Sequence, residues 1–232
     1  MAPEPGAAMS RVLGQGVTRI WRIALSGPSG DSHLACLDEA ERRRADAFKF
    51  ERDRHRFIRA HDALRRRLSG VCGGAPEKLA LQADEQGKPM LPAEYGVHFN
   101  LSHSEDQALL AISHAAPVGV DLEKIRPLSD ADALAERHFS ARECVHLQTL
   151  PAGPVRERAF FLCWTRKEAF VKCTGVGLRT DLRRIESGFV GDVMIDGVVI
   201  RSLPDVDDFA AALAIEGGVA AVEILDYRDT PG

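Results

Sequence analysis

The stretch that most restricts how this 232-residue chain can fold is FLCWTRKEAFVKCTGVGL, residues 161–178. It reads as the later part of a helix over 155–174 that stops in a glycine pair, Gly175 and Gly177. Phe160, Phe161, Trp164, Phe170 and Val171 leave such a helix little free surface, yet it carries Lys167, Glu168 and Lys172. At ~3.6 residues per turn, Glu168 and Lys172 share a face one turn after Trp164, and Lys167 is rotated from Glu168 by roughly 100°. A helix covered on most sides needs partner layers. An exposed Glu168–Lys172 pair would be worth only about 0.3–0.5 kcal/mol, so surface electrostatics is a weak reason for these charges.

The rest of the chain supplies the layers. VTRIWRIAL (17–25), VHFNLSHS, ALLAIS and PVGVDLEKI read as strands. DEAERRRADAFKF and DRHRFIRAHDALRRRLSG read as helices, with Phe57, Leu64 and Leu68 at helical spacing and Gly70 placed to end the second. LALQADEQGKPML reads as a strand running into a turn. Beyond residue 117, SDADALAERHF and SARECVHLQTL are helical, and Ser140 with Glu143 forms a capping-box signature. IESGFV, VMIDGVVIRS, AAALAIE and AAVEILDY follow as short strands. The expected class is α+β, with helices on a small antiparallel sheet in each of two halves, 17–117 and 118–232. Residues 1–16, rich in Ala, Gly and Pro, read as a disordered tail without the basic and apolar regions of a signal peptide.

Composition excludes several classes. No run of 18 apolar residues exists, so no membrane-spanning helix is expected. Five cysteines, an odd number without a C-x-x-C, argue for reduced thiols in the cytoplasm rather than a disulfide framework or a zinc site. The net charge of −4 hides a basic block: residues 42–67 hold eleven Lys/Arg against four Asp/Glu. That block suits a polyanionic ligand or a solvated helix face. Nucleic-acid binding would want exposed aromatics among the charges, whereas Phe48, Phe50 and Phe57 read as core.

Three short motifs carry chemistry. In GVDLEKI (119–125) the alternation of a strand puts Asp121 and Glu123 on one face. Two adjacent carboxylates repel unless a cation lies between them, and a hard cation such as Mg²⁺ takes oxygen ligands; two solvent-facing acids are the plainer alternative. In FNLSHS (99–104), Ser102 and His103 stand at a sheet end or turn, where His103 could donate to a phosphate. A G-x-S-x-G elbow and a P-loop are both absent. GKP (87–89) sets Lys88 beside a turn proline.

In this order, the motifs resemble the surfactin-type 4′-phosphopantetheinyl transferases. The family pattern of a G-x-D-x-E strand followed by W-x-x-K-E-A-x-x-K stands here as Gly119, Asp121 and Glu123, then Trp164, Lys167, Glu168, Ala169 and Lys172. His55-Arg56 in the basic helix, Gly87-Lys88-Pro89, Asn100–Ser104 and the F-S-x-x-E of Phe139, Ser140 and Glu143 match the family's remaining elements. The resemblance implies two similar α/β halves with the active site in the cleft between them. It implies transfer of the phosphopantetheine arm of coenzyme A to a serine of an acyl or peptidyl carrier protein, with 3′,5′-ADP released. By position, Asp121, Glu123 and Glu168 would hold Mg²⁺, with Glu168 and Lys172 catalytic. Lys172 and His103 would contact phosphate, and Arg56, with Arg44 in support, would grip the 3′-phosphate. Lys88 and Ser102 would line the nucleotide side. A second basic contact of the family's early helix falls at Glu41, with Arg42 or Arg43 as substitutes. A monomer without membrane or nucleic-acid partners is expected.

Overall fold

A computed structural model describes residues 16–83, 88–177, 180–204, 208–218 and 221–228. The chain divides into two compact units. The first comprises the described residues of Met1–His98, Glu105–Ala115 and Ala221–Gly232; the second those of Phe99–Ser104 and Ala116–Ala220. The division is therefore not a single cut at 117, because the last strand returns to the first unit. Of the expected tail, residues 1–15 lie outside the described residues and Gly16 within them.

In the first unit, β1 (Val17–Ala24) is followed by the short helices α1 (Asp31–Ala35) and α2 (Glu39–Asp46) and by the 22-residue α3 (Glu51–Cys72). Two-residue strands β2 (Gln82–Ala83) and β3 (Pro89–Met90) pair antiparallel. β5 (Gln107–Ser113) pairs antiparallel with β1, Trp21 opposite Leu110. On its other edge β1 takes β10 (Ala221–Asp226) in parallel, Ile20 opposite Ile224. The sheets are antiparallel as expected but for this pairing: β10 enters from the far end of the chain, so no hairpin dictates its direction. Arg19–Glu223 and Arg22–Asp226 ion pairs secure it.

α3 buries Ile58, Ala63, Leu64 and Leu68 and runs through Gly70 to Gly73, whose φ of +80° ends it. The glycine that stops this helix is thus the one with a backbone only glycine adopts readily, not the earlier Gly70.

The second unit repeats the order: a strand, two short helices, a long helix, then strands of which the last pairs with the first. β6 (Val118–Lys124), α4 (Ala131–His138), α5 (Ala141–Thr149) and the 21-residue α6 (Pro154–Thr174) lead to β7 (Val193–Ile195), β8 (Val198–Ser202) and β9 (Phe209–Glu216). The sheet order is β6-β9-β8-β7, all antiparallel. β4 (His98–Ser104) contributes residues 99–104 to this unit. IESGFV, expected as a strand, forms none; β7 begins at Val193.

α6 starts with Pro154 in its first turn and ends at Gly175 in the left-handed conformation, whose N–H donates to Val171 O. Phe170, Val171, Leu182, Ile185, Ile200 and Ala212 pack into one core cluster beneath it. The helix reaches β6 closely because position 119 has no side chain. A Cβ on Gly119 would collide with Ala169 O and Cys173 N and lie 3.0 Å from Cys173 Cα. All three are backbone atoms and cannot swing aside. Gly119→Ala is expected to cost about 1–3 kcal/mol or more in urea denaturation. Gly70→Ala, with open space around it, should instead gain about 0.5–1 kcal/mol. Equal stability of the two variants would contradict the close approach.

Candidate functional site

β6 is buried from Val118 to Leu122, and Asp121 is only 3% exposed. Its inner edge pairs with alanines of β9, Asp121 opposite Ala212 and Glu123 opposite Ala210. Alternate residues of β4 reach its other edge: Val120 N–H donates to Asn100 Oδ1 (2.8 Å), and Lys124 N–H donates to Ser104 Oγ (3.1 Å). Ser102 Oγ donates to Asp121 Oδ1 (2.9 Å), and Ser104 Oγ donates to Glu123 Oε2 (3.1 Å).

From α6, Lys172 Nζ donates to Asp121 Oδ1 at 2.6 Å and to Ser102 Oγ at 3.0 Å. Spacing within the helix pairs Lys172 with Glu168; in the fold its ammonium turns to the neighbouring strand. Glu168 keeps a buried Oε1 without a hydrogen-bond partner, and so does Asp121 at Oδ2. Burial first, then the Asp121 charge, pushes the Glu168 carboxyl up to about 7 against the opposing pull of Lys172. Burial and Asp121 also raise Glu123, while the Ser104 hydrogen bond opposes them.

Ser102, His103, Asp121, Glu123, Trp164, Glu168 and Lys172 line one cavity of about 560 Å³ within the second unit. Trp164 stacks on Phe160 at 6.1 Å. Arg137, His138, Thr180, Asp181 and Leu182 complete the lining, and the sequence reading missed them. Arg137 and His138 immediately precede Phe139-Ser140, a signal of position alone. His138 meets the Trp164 ring edge-on at 5.4 Å, and burial, then Arg137, lowers its pKa.

Lys167 takes no part in this cavity. It is fully buried, 2.7 Å from Glu143 Oε2, and donates to the carbonyls of Leu182 (2.9 Å) and Ile185. Glu143 is also the capping-box residue of α5: it accepts from Ser140 N, and Ser140 Oγ accepts from Glu143 N. One carboxylate therefore starts α5 and anchors α6.

The basic residues of the first unit are largely engaged. Arg56 donates to Asp106 Oδ1 (2.8 Å) and Glu105 Oε2 (3.0 Å), so an anion would compete with two carboxylates for it. Arg44 lies over the Phe57 ring, 5.2 Å from its centroid. Lys88 is half-buried where β3 begins, and Gly87 lies outside the described residues. Glu41 is structural: it closes the α2 capping box with Asp38 and pairs with His61 and the fully buried Arg65. Of its proposed substitutes, Arg42 caps the carbonyls of Leu34 and Ala35, and Arg43 pairs with Glu39.

Among the described residues, no group of three or more His, Cys, Asp or Glu side chains stands ready to hold a metal ion. Asp121, Glu123 and Glu168 all line one cavity, where the Lys172 ammonium lies on Asp121 Oδ1. The donor chemistry still suits a hard cation. Two partnerless, buried carboxylate oxygens and one carboxyl raised to about 7 are the signature of anionic groups short of positive charge.

Comparison with known proteins decides the family. Residues 117–190 match the model of the 4′-phosphopantetheinyl transferase superfamily, and residues 28–115 match that of the 4′-phosphopantetheinyl transferase N-terminal region. The chain is 40% identical over 164 residues to 4′-phosphopantetheinyl transferase HetI of Nostoc sp., covering 68% of this chain and 69% of that one. It belongs to the 4′-phosphopantetheinyl transferases. Other relatives are psf-1 of Bacillus pumilus, 36% identical over 71% of this chain and 67% of that protein, and Sfp of Bacillus subtilis, 28% identical over 78% and 77%. The superfamily match spans β6 through α6, so the transferase's cavity carboxylates, Lys172 and the Lys167–Glu143 anchor all lie inside it.

Proposed function

We propose that this transferase, which moves the 4′-phosphopantetheine of coenzyme A onto carrier proteins, does so at the carboxylate–lysine cavity of its second unit, with a carrier serine as acceptor. The observation that carries the reading is the pair of buried, partnerless oxygens, Asp121 Oδ2 and Glu168 Oε1, in a cavity that also holds the Lys172 ammonium. Asp121, Glu123 and Glu168 would hold Mg²⁺, whose charge, when bound, offsets that of the pyrophosphate. Lys172 and His103 donate to phosphate oxygens, and Ser102 keeps Lys172 aimed. Such a transfer depends on positioning and charge neutralisation more than on covalent help from the protein. Glu168, the one cavity carboxylate carried on a separate element, accepts the proton of the attacking hydroxyl. Arg44 serves the 3′-phosphate; Arg56 joins it by exchanging Asp106 and Glu105 for the phosphate.

All five cysteines are free thiols, and no described helix is long and apolar enough to cross a membrane. Free thiols suit work in the cytoplasm, where they stay reduced. The test is intact-mass spectrometry of apo carrier proteins from fatty-acid, polyketide and peptide synthetases, mixed with the transferase, coenzyme A and Mg²⁺. At least one carrier should gain the arm, and excess chelator should stop the gain. Unchanged transfer in chelator would overturn the assignment of the carboxylates to a cation.

A further inference from the structure

We infer that Ser104, on β4, is the positioning residue for Glu123: its hydroxyl locks the carboxylate of β6 into the orientation that the cavity uses. The inference rests on the reading of Glu123 as a cation-holding carboxylate, and it adds a residue outside the catalytic set.

The geometry leaves the hydroxyl one choice. Ser104 Oγ accepts the Lys124 N–H at 3.1 Å, and its own hydrogen goes to Glu123 Oε2, also at 3.1 Å. A serine hydroxyl has a single O–H to give, and its oxygen, held in place by the backbone amide, keeps that O–H within reach of Glu123. Ser104 is 9% exposed, and the part-buried Lys124 amide would lose this partner if the hydroxyl left it. Glu123 Oε2 is thereby committed to β4.

The arrangement is a row. Along β4, Asn100, Ser102 and Ser104 occupy alternate positions. Asn100 and Ser104, four residues apart, accept from Val120 and Lys124, also four apart. Side chains thus satisfy β6 amides on the edge away from β9. The middle member, Ser102, binds Asp121. Asn100 sets the register, and the two serines each aim one carboxylate. Ser102 also faces the cavity and Lys172. Ser104 is not among the cavity-lining residues and acts through Glu123.

The test uses the full chain and Mn²⁺ alone, with bound ion counted by loss of the free-ion electron spin resonance signal. Ser104→Ala should weaken Mn²⁺ binding about tenfold, the size expected for a lost outer partner of a ligating group. Ser104→Thr, which keeps the hydroxyl on a strand, should stay within about threefold of the parent chain. In transfer assays Ser104→Ala should lower kcat more than it raises KM for coenzyme A. Circular dichroism melts check folding, and Ser104→Cys, close in size with a weak donor, replaces the alanine variant if that unfolds. If the parent chain binds Mn²⁺ in a way that Asp121→Ala abolishes, while Ser104→Ala or Ser104→Cys binds as the parent does, the positioning role is overturned and the cation site stands. If the parent chain and Asp121→Ala hold Mn²⁺ equally weakly, the cation site itself falls, and the inference with it.

Discussion

Replacing Lys167 by methionine is expected to lower the free energy of unfolding by about 3–5 kcal/mol, the cost of removing one partner from a buried ion pair. The ammonium is fully buried against Glu143, itself 2% exposed, and it also satisfies the carbonyls of Leu182 and Ile185. Methionine fills similar space but leaves a buried carboxylate and two carbonyls without a cation. Glu143→Gln added to Lys167→Met should recover part of the loss, since the orphaned charge is then removed. Acid gives a second reading. Burial by itself would push Glu143 up, but Lys167 and the amides of Ser140 and Gly188 override it and hold the carboxyl below its ordinary 4.5. A depressed folded pKa contributes stability that is present above the unfolded value and is lost as pH falls through the folded one. The gap between parent and Lys167→Met should therefore be full at pH 6–8 and narrow below about 4.5. A free energy of unfolding from urea denaturation within 1 kcal/mol of the parent at pH 7 would show that the pair is not a keystone.

The same residue shows where sequence reasoning stops. Helical spacing correctly assigned the 155–174 stretch, and the alternation of a strand correctly put Asp121 and Glu123 on one side of β6. These rules report neighbours within one element. They do not report that Lys172 leaves Glu168, its partner by spacing, for Asp121 on a strand, or that Lys167 turns inward to the cap of α5. The basic block is a parallel case. Counting charges over 42–67 suggests a polyanion site, yet Arg65 is buried on Asp38 and Glu41, Arg66 pairs with Asp62, and Arg67 lies over Tyr227. Part of that charge is therefore internal structure, and the Arg65 partners lie more than twenty residues away. The parallel pairing of β10 with β1 joins strands some two hundred residues apart, beyond the reach of turn or periodicity signals. In the sequence Gly119 is a letter in a motif; its physical reason, the approach of the Ala169 and Cys173 backbone, exists only in three dimensions.

Glu168→Gln is expected to keep coenzyme A binding and to lose about 10²–10⁴-fold in transfer rate, the usual worth of a general base. Glutamine keeps an oxygen and the helix but cannot take the hydroxyl proton. The parent rate should rise with pH through the Glu168 titration and level off above it, while the residual rate of the variant should lack that inflection and climb only with hydroxide. Stability should move the opposite way. The folded carboxyl titrates at about 7 against an ordinary 4.5, raised by burial and then by Asp121. A raised folded pKa gives stability that is whole below the unfolded value and is lost as pH climbs through the folded one. In chelator, the parent should therefore lose stability between about pH 4.5 and 7, and Glu168→Gln should not. At pH 8 the variant should be the more stable of the two by about 1–2 kcal/mol, a figure reduced for the partial solvent access of the carboxylate. At pH 4.5 the two should melt together. The opposite signs of the two effects separate a residue placed for chemistry from one placed for folding, because Glu168 destabilises the fold at the pH where the transferase needs it ionised. Transfer by Glu168→Gln within a few-fold of the parent, with an unchanged pH profile, would remove Glu168 as the proton acceptor. Failure of the variant to gain stability at pH 8 would mean that the carboxylate is not short of positive charge in the cation-free protein.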